Sequence, residues 1–501
     1  MTLAGAGDGG RGRLVAVALL AGAVAGGAAL GAVAARGAPT TSLQPAELAA
    51  EAAPVASTSS SWYCPGGPEY GGATTQLLLA NAGGRAVHVG VAVVDEGGTR
   101  GRGSFRLGPH SEIEVAPARL VRGAWLASRV EVAGGAVSAT ELVDGRTGRA
   151  VAQCASGVST RWYLASGSTR GGSTLDVAVS NPTHDLAVVD LSFVTASGFM
   201  APAPFQGLVI EPGALRVLTV GAYVQNQGVV ASVVAARSGA VVAGELQSYG
   251  PGGGEGVALT LGVPATSPRW VLPSVEDASG GTSALTVLNP TARRERVVAE
   301  VRLPSGPVEP FTQELGPKSV WTLATSEELR IATQEPYAVE VLATGRGVVV
   351  ARTGSGAPLG PAPWWANDVA VSWPETSAAH QWIIAGVPAP AKATAPALAS
   401  QVGAPAPSTW SRLVVENPAR RAVRVEVTWW SGSGSSASSS ASISSGIRHV
   451  RELRLPAMTR ATLAVPAALA LVRAHGPVAV MGDASPAGTV GVVAIPAVPQ
   501  R

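Results

Sequence analysis

Along most of the chain, apolar and polar residues alternate with a period of two. Val423, Val425 and Val427 alternate with Arg424, Glu426 and Thr428, and Val87, Val89, Val91 and Val93 with His88, Gly90, Ala92 and Val94. A strand turns successive side chains to opposite faces, so these runs predict strands with one face in a core and the other toward solvent. Gly, Pro, Asn and Ser separate the runs, as turns between strands require.

A longer period lies over the short one. "WYCPGGPEYGGATTQLLLAN" begins at Trp62, "WYLASGSTRGGSTLDVAVSN" at Trp162 and "WVLPSVEDASGGTSALTVLN" at Trp270, each running 19 positions from Trp to Asn81, Asn181 and Asn289. A fourth copy is split between "WIIAGVPAP" at Trp382 and "LVVENPARR" with Asn417, where the interval is 35 and an Ala/Pro stretch (388–410) has been inserted. An apolar-Pro corner follows each: "LGP" 107–109, "IEP" 210–212, "LGP" 315–317 and "LP" 455–456. The opening tryptophans lie 100, 108 and 112 residues apart. Units of that length hold about seven strands, which suits an antiparallel sandwich of immunoglobulin type. Propeller blades repeat at about 40–50 residues and fit less well.

The expected fold is therefore all-β: four tandem immunoglobulin-like antiparallel β-sandwiches at 62–157, 158–252, 253–362 and 363–501. At these positions Trp supplies a large apolar body for a small core, and Asn bonds nearby backbone where a strand ends. Both residue types read as packing elements, with ligand contact the alternative. "GPGGGEG" (250–256) reads as an inter-domain linker, and "SGSGSSASSSASISSG" (431–446) as an expanded hairpin loop, with surface modification the alternative.

The first residues bear on location. Residues 1–13 carry Arg11 and Arg13 and are expected to be cytoplasmic; residues 14–35 are free of charge. At about 1.5 Å per residue such a stretch crosses a ~30 Å hydrocarbon core as a transmembrane anchor. "AVA" at 32–34 offers a small-residue cleavage site, so a cleaved signal with secretion is the alternative. Either places the bulk of the chain outside the cytoplasm, with a membrane partner through 14–35. Residues 36–61 read as a flexible spacer, with order beginning at Trp62.

The second unit, "RWYLASGSTRGGSTLDVAVSNPTHDLAVVDLSFVTASG" followed by "VVAGELQSYG" (241–250), resembles the actinobacterial exported repeats built on "WYFAEGST", "LxLxNP" and a closing "VVAER" strand. The resemblance covers roughly residues 62–500; the first unit departs from it with "WYCPGG" and the fourth with its insertions. It implies an uncharacterised, exported, envelope-associated family, and it supplies no catalytic residues.

Composition narrows the chemistry. There are 36 Lys and Arg against 33 Asp and Glu, a net charge of +3, and charged residues are only 14% of the chain. That balance argues against nucleic acid as a partner. The six histidines show no HxH or HExxH spacing, and neither GxSxG nor SxxK occurs, so no metal, cofactor or catalytic residue is expected. An enzyme with a site dispersed across repeats is the least favoured reading.

Two features remain. Trp364 with Trp365 and Trp429 with Trp430 are adjacent pairs; in a strand one member of each faces outward, to pack on the next domain or to meet a glycan or protein. The only cysteines, Cys64 and Cys154, open and close the first unit. Outside the cytoplasm they are expected to form a disulfide, whose closed loop stabilises by roughly 4–5 kcal/mol in the chain-entropy model. The function expected is a non-catalytic envelope protein presenting β-sandwiches to an envelope protein or cell-wall glycan, with glycan binding through exposed tryptophans the runner-up.

Overall fold

The computed structural model describes residues 52, 57–145, 148–250, 256–275, 282–331, 337–355, 367–371, 373–374, 379–385, 409–431, 447–465, 469–486, 493–496 and 498–500. The segment 14–35, Trp364, Trp365 and nearly all of both inserts (386–408 and 432–446) lie outside them. The described residues are strands joined by turns and a few single 3-10 turns, and every strand pair is antiparallel. Among them no helix is long and apolar enough to cross a membrane.

The first sandwich shows the plan. Its strands are β1 (Ser60–Pro68), β2 (Thr74–Asn81), β3 (Val87–Asp95), β4 (Arg100–Leu107), β5 (Ser111–Val115), β6 (Trp125–Val132), β7 (Val137–Gly145) and β8 (Gly148–Gln153). They form two sheets, in the orders β1-β6-β3-β4 and β5-β2-β7-β8. The alternation seen in the sequence does what it predicts: Val89, Val91 and Val93 of one sheet meet Leu77, Leu79 and Ala139 of the other in the core.

The same pairing recurs three times. The counterparts of β1, β6 and β3 are Arg161–Gly167, Val230–Ser238 and Ala187–Thr195, then Arg269–Val275, Tyr337–Ala343 and Glu295–Leu303. Those of β5, β2, β7 and β8 are Leu215–Thr219, Thr174–Ser180, Val242–Tyr249 and Gly256–Leu261, then Ser319–Ala324, Thr282–Asn289, Val349–Ser355 and Asn367–Val371. In the fourth set one long strand, Leu469–Pro486, does the work of β6 and β7. Its start pairs with Ala379–Ala385 and Val423–Ser431, its end with Thr409–Asn417 and Val493–Pro496.

Four expectations need correction. The first set has eight strands rather than seven and the second and third have more, because a hairpin adds the β8 counterpart in each. The boundaries at 252/253 and 362/363 therefore cut a strand from its partner, and "GPGGGEG" connects two strands of one sheet instead of two domains. The strand order also differs from the immunoglobulin one, since β1 and β2 lie in opposite sheets. Order starts before Trp62: β1 begins at Ser60, and Ala52 is fully buried in the first core.

The sandwiches are also not separate domains; Pro45–Arg501 is one compact unit. The four β8-type strands lie side by side in a closed cycle: Gly148–Gln153 beside Gly256–Leu261, that beside Asn367–Val371, that beside Val493–Pro496, and the last beside the first. Hydrophobic clusters run across the junctions as well. Ile383, Trp430, Leu469 and Leu471 belong to the cluster of the first and second sandwiches, and Leu78, Leu142 and Val151 to that of the fourth.

The recurring Asn explains the recurring corner. Each is completely buried. Asn181 Nδ2 donates to Asp185 O at 2.7 Å and to Ile210 O at 2.9 Å, while its Oδ1 accepts from Thr183 N at 3.1 Å. Asn81 bonds Arg85 O and Gly108 O, Asn289 bonds Arg293 O, Leu315 O and Gly316 O, and Asn417 bonds Arg421 O, Leu455 O and Pro456 O. One side chain thus ties the β2–β3 turn to the apolar-Pro corner on the other side of the sandwich. Asn181→Ala leaves buried carbonyls without donors and should cost about 3 kcal/mol, read as a lower urea midpoint of the full chain. Asn181→Asp should be no better, because it keeps the acceptor and loses both donors; a midpoint unchanged in both variants would refute this role.

Candidate functional site

The opening tryptophans are structural. Trp62, Trp162, Trp270 and Trp382 are at most 1% exposed. Three donate the indole N–H to the carbonyl at the start of the β7-type strand: Trp162 to Val241 O at 2.7 Å, Trp270 to Val348 O at 2.8 Å and Trp382 to Val478 O at 3.0 Å. Trp62 Nε1 lacks a partner. In its unit the staple is the disulfide from Cys64 to Cys154, whose Cα atoms lie 4.4 Å apart.

The first three opening strands then break register: between Cys64 and Gly67, between Leu164 and Gly167, and between Leu272 and Val275. A bulge leaves backbone donors off the ladder. In two units a fully buried glutamate of the β7-type strand meets the bulge. Glu141 Oε2 accepts from Gly66 N at 3.2 Å, and Glu245 Oε1 accepts from Ser166 Oγ at 2.6 Å. Glu141 Oε1 and Glu245 Oε2 have no hydrogen-bonding partner in the chain. An ionised carboxylate is costly in such a place; burial pushes Glu141 up to about 8 and Glu245 up to about 7. The sequence did carry a signal, the "TEL" of 140–142 and the "GEL" of 244–246, each with an acidic residue inside an apolar strand.

The tryptophan pair at 429–430 is engaged within the chain. Trp429 stacks on His449 with centroids 5.2 Å apart. Trp430, 6% exposed, stacks on His110 of the first sandwich at 4.5 Å, so of the two alternatives for the outward ring it takes packing on another sandwich. The physical reason is the closed cycle: the outer face of this sheet is covered by the first sandwich. Among the described residues no group of three or more His, Cys, Asp or Glu is placed to hold a metal ion.

The position with open chemistry is one that the sequence reading missed. Between the first and second sandwiches lies a cavity of about 200 Å³, bordered by Arg100, Arg102, Arg129 and His184 together with Tyr63 and Ser180. None of the residues lining it is acidic. Arg100 Nη2 crosses the junction to donate to Pro212 O at 2.8 Å. Arg129 lies over the Tyr63 ring, 6.0 Å from its centroid, and pairs with the exposed Glu131 at 2.6 Å, while its Nε is buried without a partner. Each arginine sits in a strand where the period-two pattern only marks an outward-facing polar position, so the alternation gave no hint that they border a junction with the second sandwich.

Fold and cavity define an all-β chain of like sandwiches with a cationic junction. The chain belongs to a family of unknown function, DUF5719, whose model matches residues 131–447. No curated protein matches. Among solved structures, the crystal structure of Thermotoga maritima 1070 is similar at 15% identity over 22% of this chain and 94% of that one, with a TM-score of 0.19. The tetra-tandem repeat in the extending region of a large adhesion protein is similar at 11% identity over 84% of this chain and 93% of that one, with a TM-score of 0.10.

The buried glutamates set a pH dependence. A carboxyl whose folded pKa exceeds its unfolded value stabilises fully below the unfolded value, and that contribution is lost as pH rises through the folded one. Stability should therefore fall between about pH 5 and pH 9 as Glu245 and then Glu141 lose their protons. Glu141→Gln keeps an oxygen for Gly66 N and removes the ionisation, so its urea midpoint should decline less above pH 8. Equal midpoints for the wild type at pH 5 and pH 9 would refute the assignment.

Proposed function

We propose that the protein is a non-catalytic, exported envelope protein, held at the membrane through residues 14–35 and presenting its joined sandwiches to an envelope protein or the cell wall. The observation that carries the reading is the Cys64–Cys154 disulfide, since such bonds persist in oxidising compartments. It stands beside a 22-residue stretch without charge that is long enough to span a bilayer.

The interior is consistent with a scaffold. The buried carboxyls of Glu141 and Glu245 each hold a strand bulge, the opening tryptophans fill cores, and the recurring asparagines tie corners. The finer reading of four tandem repeats of one ancestral sandwich rests on these shared contacts, and a repeated unit is an economical way to build a contact surface. Glycan binding through Trp429 and Trp430 gains no support from their packing inside the chain.

Two measurements on the natural host test the reading. Protease added to intact cells after wall removal should digest the sandwiches, and a chain lacking residues 14–35 should no longer fractionate with membranes. Thiol labelling of the native protein should detect no free cysteine before reduction and two after it. Protection from protease together with two free thiols would place the chain in the cytoplasm and overturn the proposal.

A further inference from the structure

Four like sandwiches in a cycle make four comparable seams, and three strand positions face each of them. The residue before the buried Asn is Ala80, Ser180, Leu288 or Glu416. The residue before the strand partner of the opening Trp is Arg129, Val233, Glu340 or Leu471. The eighth residue of the β3-type strand is Val94, Val194, Arg302 or Trp430. Each seam takes the last two positions from one sandwich and the first position from the next.

Two seams are closed by apolar contact. Val194 and Leu288 share a cluster with Val233 packed on it, and Leu471, Trp430 and Ala80 share another. The third-to-fourth seam is closed by charge. Arg302 Nη1 donates to Glu416 Oε1 at 3.0 Å, Arg302 also pairs with Glu340, and Glu340 pairs with Arg269. Arg302 and Arg269 are each met by a carboxylate that the chain itself supplies.

The first-to-second seam has cations but no acidic residue among those that line it. Part of it is apolar, with Trp125 and Ala127 against Ala178 and Leu215. Beside that contact Arg129 stands where Glu340 stands, and Ser180 stands where Glu416 stands. Arg100, Arg102 and His184 add to the same side, and a cavity of about 200 Å³ remains. We propose that this seam binds a small anionic ligand, through a carboxylate or phosphate group that meets Arg100, Arg102 and Arg129 beside Ser180.

The chemistry fits at each point. Guanidinium groups match carboxylate and phosphate oxygens in a planar fork. The carboxylate paired with Arg129, Glu131, is mostly exposed, and an exposed pair of that kind contributes little, so a ligand is able to displace it from Arg129. The space is below the ~300–1,000 Å³ of drug-sized pockets, which limits the ligand to about the size of one sugar or a phosphorylated fragment. The Tyr63 ring gives such a ligand a flat wall. The site stands independently of the compartment in which the protein works.

Calorimetric titration of the purified full chain with inorganic phosphate, glucuronate and glucose tests the proposal. At least one of the two anions should bind and glucose should not, with affinity falling as salt is raised; whichever anion binds more tightly identifies the group. Arg102→Gln, at an exposed position, should keep the fold and weaken binding about ten-fold, the loss of one charge-assisted contact. Ser180→Glu supplies the internal carboxylate and should abolish binding without lowering the urea midpoint. No binding of either anion above the glucose level, or anion affinity unchanged in both Arg102→Gln and Ser180→Glu, would overturn the proposal.

Discussion

The fourth sandwich packs on the first, and this contact makes one body of four. Trp430 stacks on His110 across it, and Leu78, Leu142 and Val151 enter the core of the fourth sandwich. With the cycle closed, the sheet of β2, β7 and β8 is buried on both faces, while β4 at the edge of the other sheet stays open to solvent. A four-stranded sheet buried on both faces gains far more apolar contact than one half in water. The unit that unfolds cooperatively is thus larger than the repeat that the sequence displays.

Closure also assigns work to turn residues that the repeat alone leaves without a purpose. Three positions after the start of each corner the chain takes a positive φ, at His110, Gly213, Lys318 and Met458. Three of these turns reach the preceding sandwich: His110 on Trp430, Lys318 over the Phe199 ring at 4.0 Å, and Pro212 beside Gly213 accepting from Arg100. The buried Asn fixes the same corner from within. One amide side chain therefore positions an element of the core and an element of the seam together, which is a physical reason for its return in all four units.

What the sequence made legible follows from how local each feature is. The period-two runs, the Trp–Asn interval and the corner all reflect contacts within one sandwich, and each is visible as a pattern in the residues themselves. The eighth strand was not legible, because "GVALTL" (256–261) has no repeat signature of its own and the glycines before it resemble a linker. The bulges were hidden for a similar reason, since a register break is a property of two paired strands and not of either one. Trp430 shows the limit most directly: its outward direction was legible from Trp429 beside it, yet whether that outward face meets water or another sandwich depends on a residue more than 300 positions away.

The same distinction separates scaffold from site. Within a sandwich the Trp and Asn positions hold one residue type in all four units, as expected where packing geometry leaves a single solution. At the seams the combination at the three facing positions differs in every unit, and each combination but one is self-sufficient. Apolar residues satisfy each other, and Arg302 with Glu340 and Glu416 is internally compensated. Arg129 opposite Ser180 is neither apolar nor paired across the seam; its partner Glu131 lies on its own strand and is mostly exposed. A chain that meets its cations across one seam and leaves space beside Arg100, Arg102 and Arg129 at another has the arrangement that binding an external anion requires.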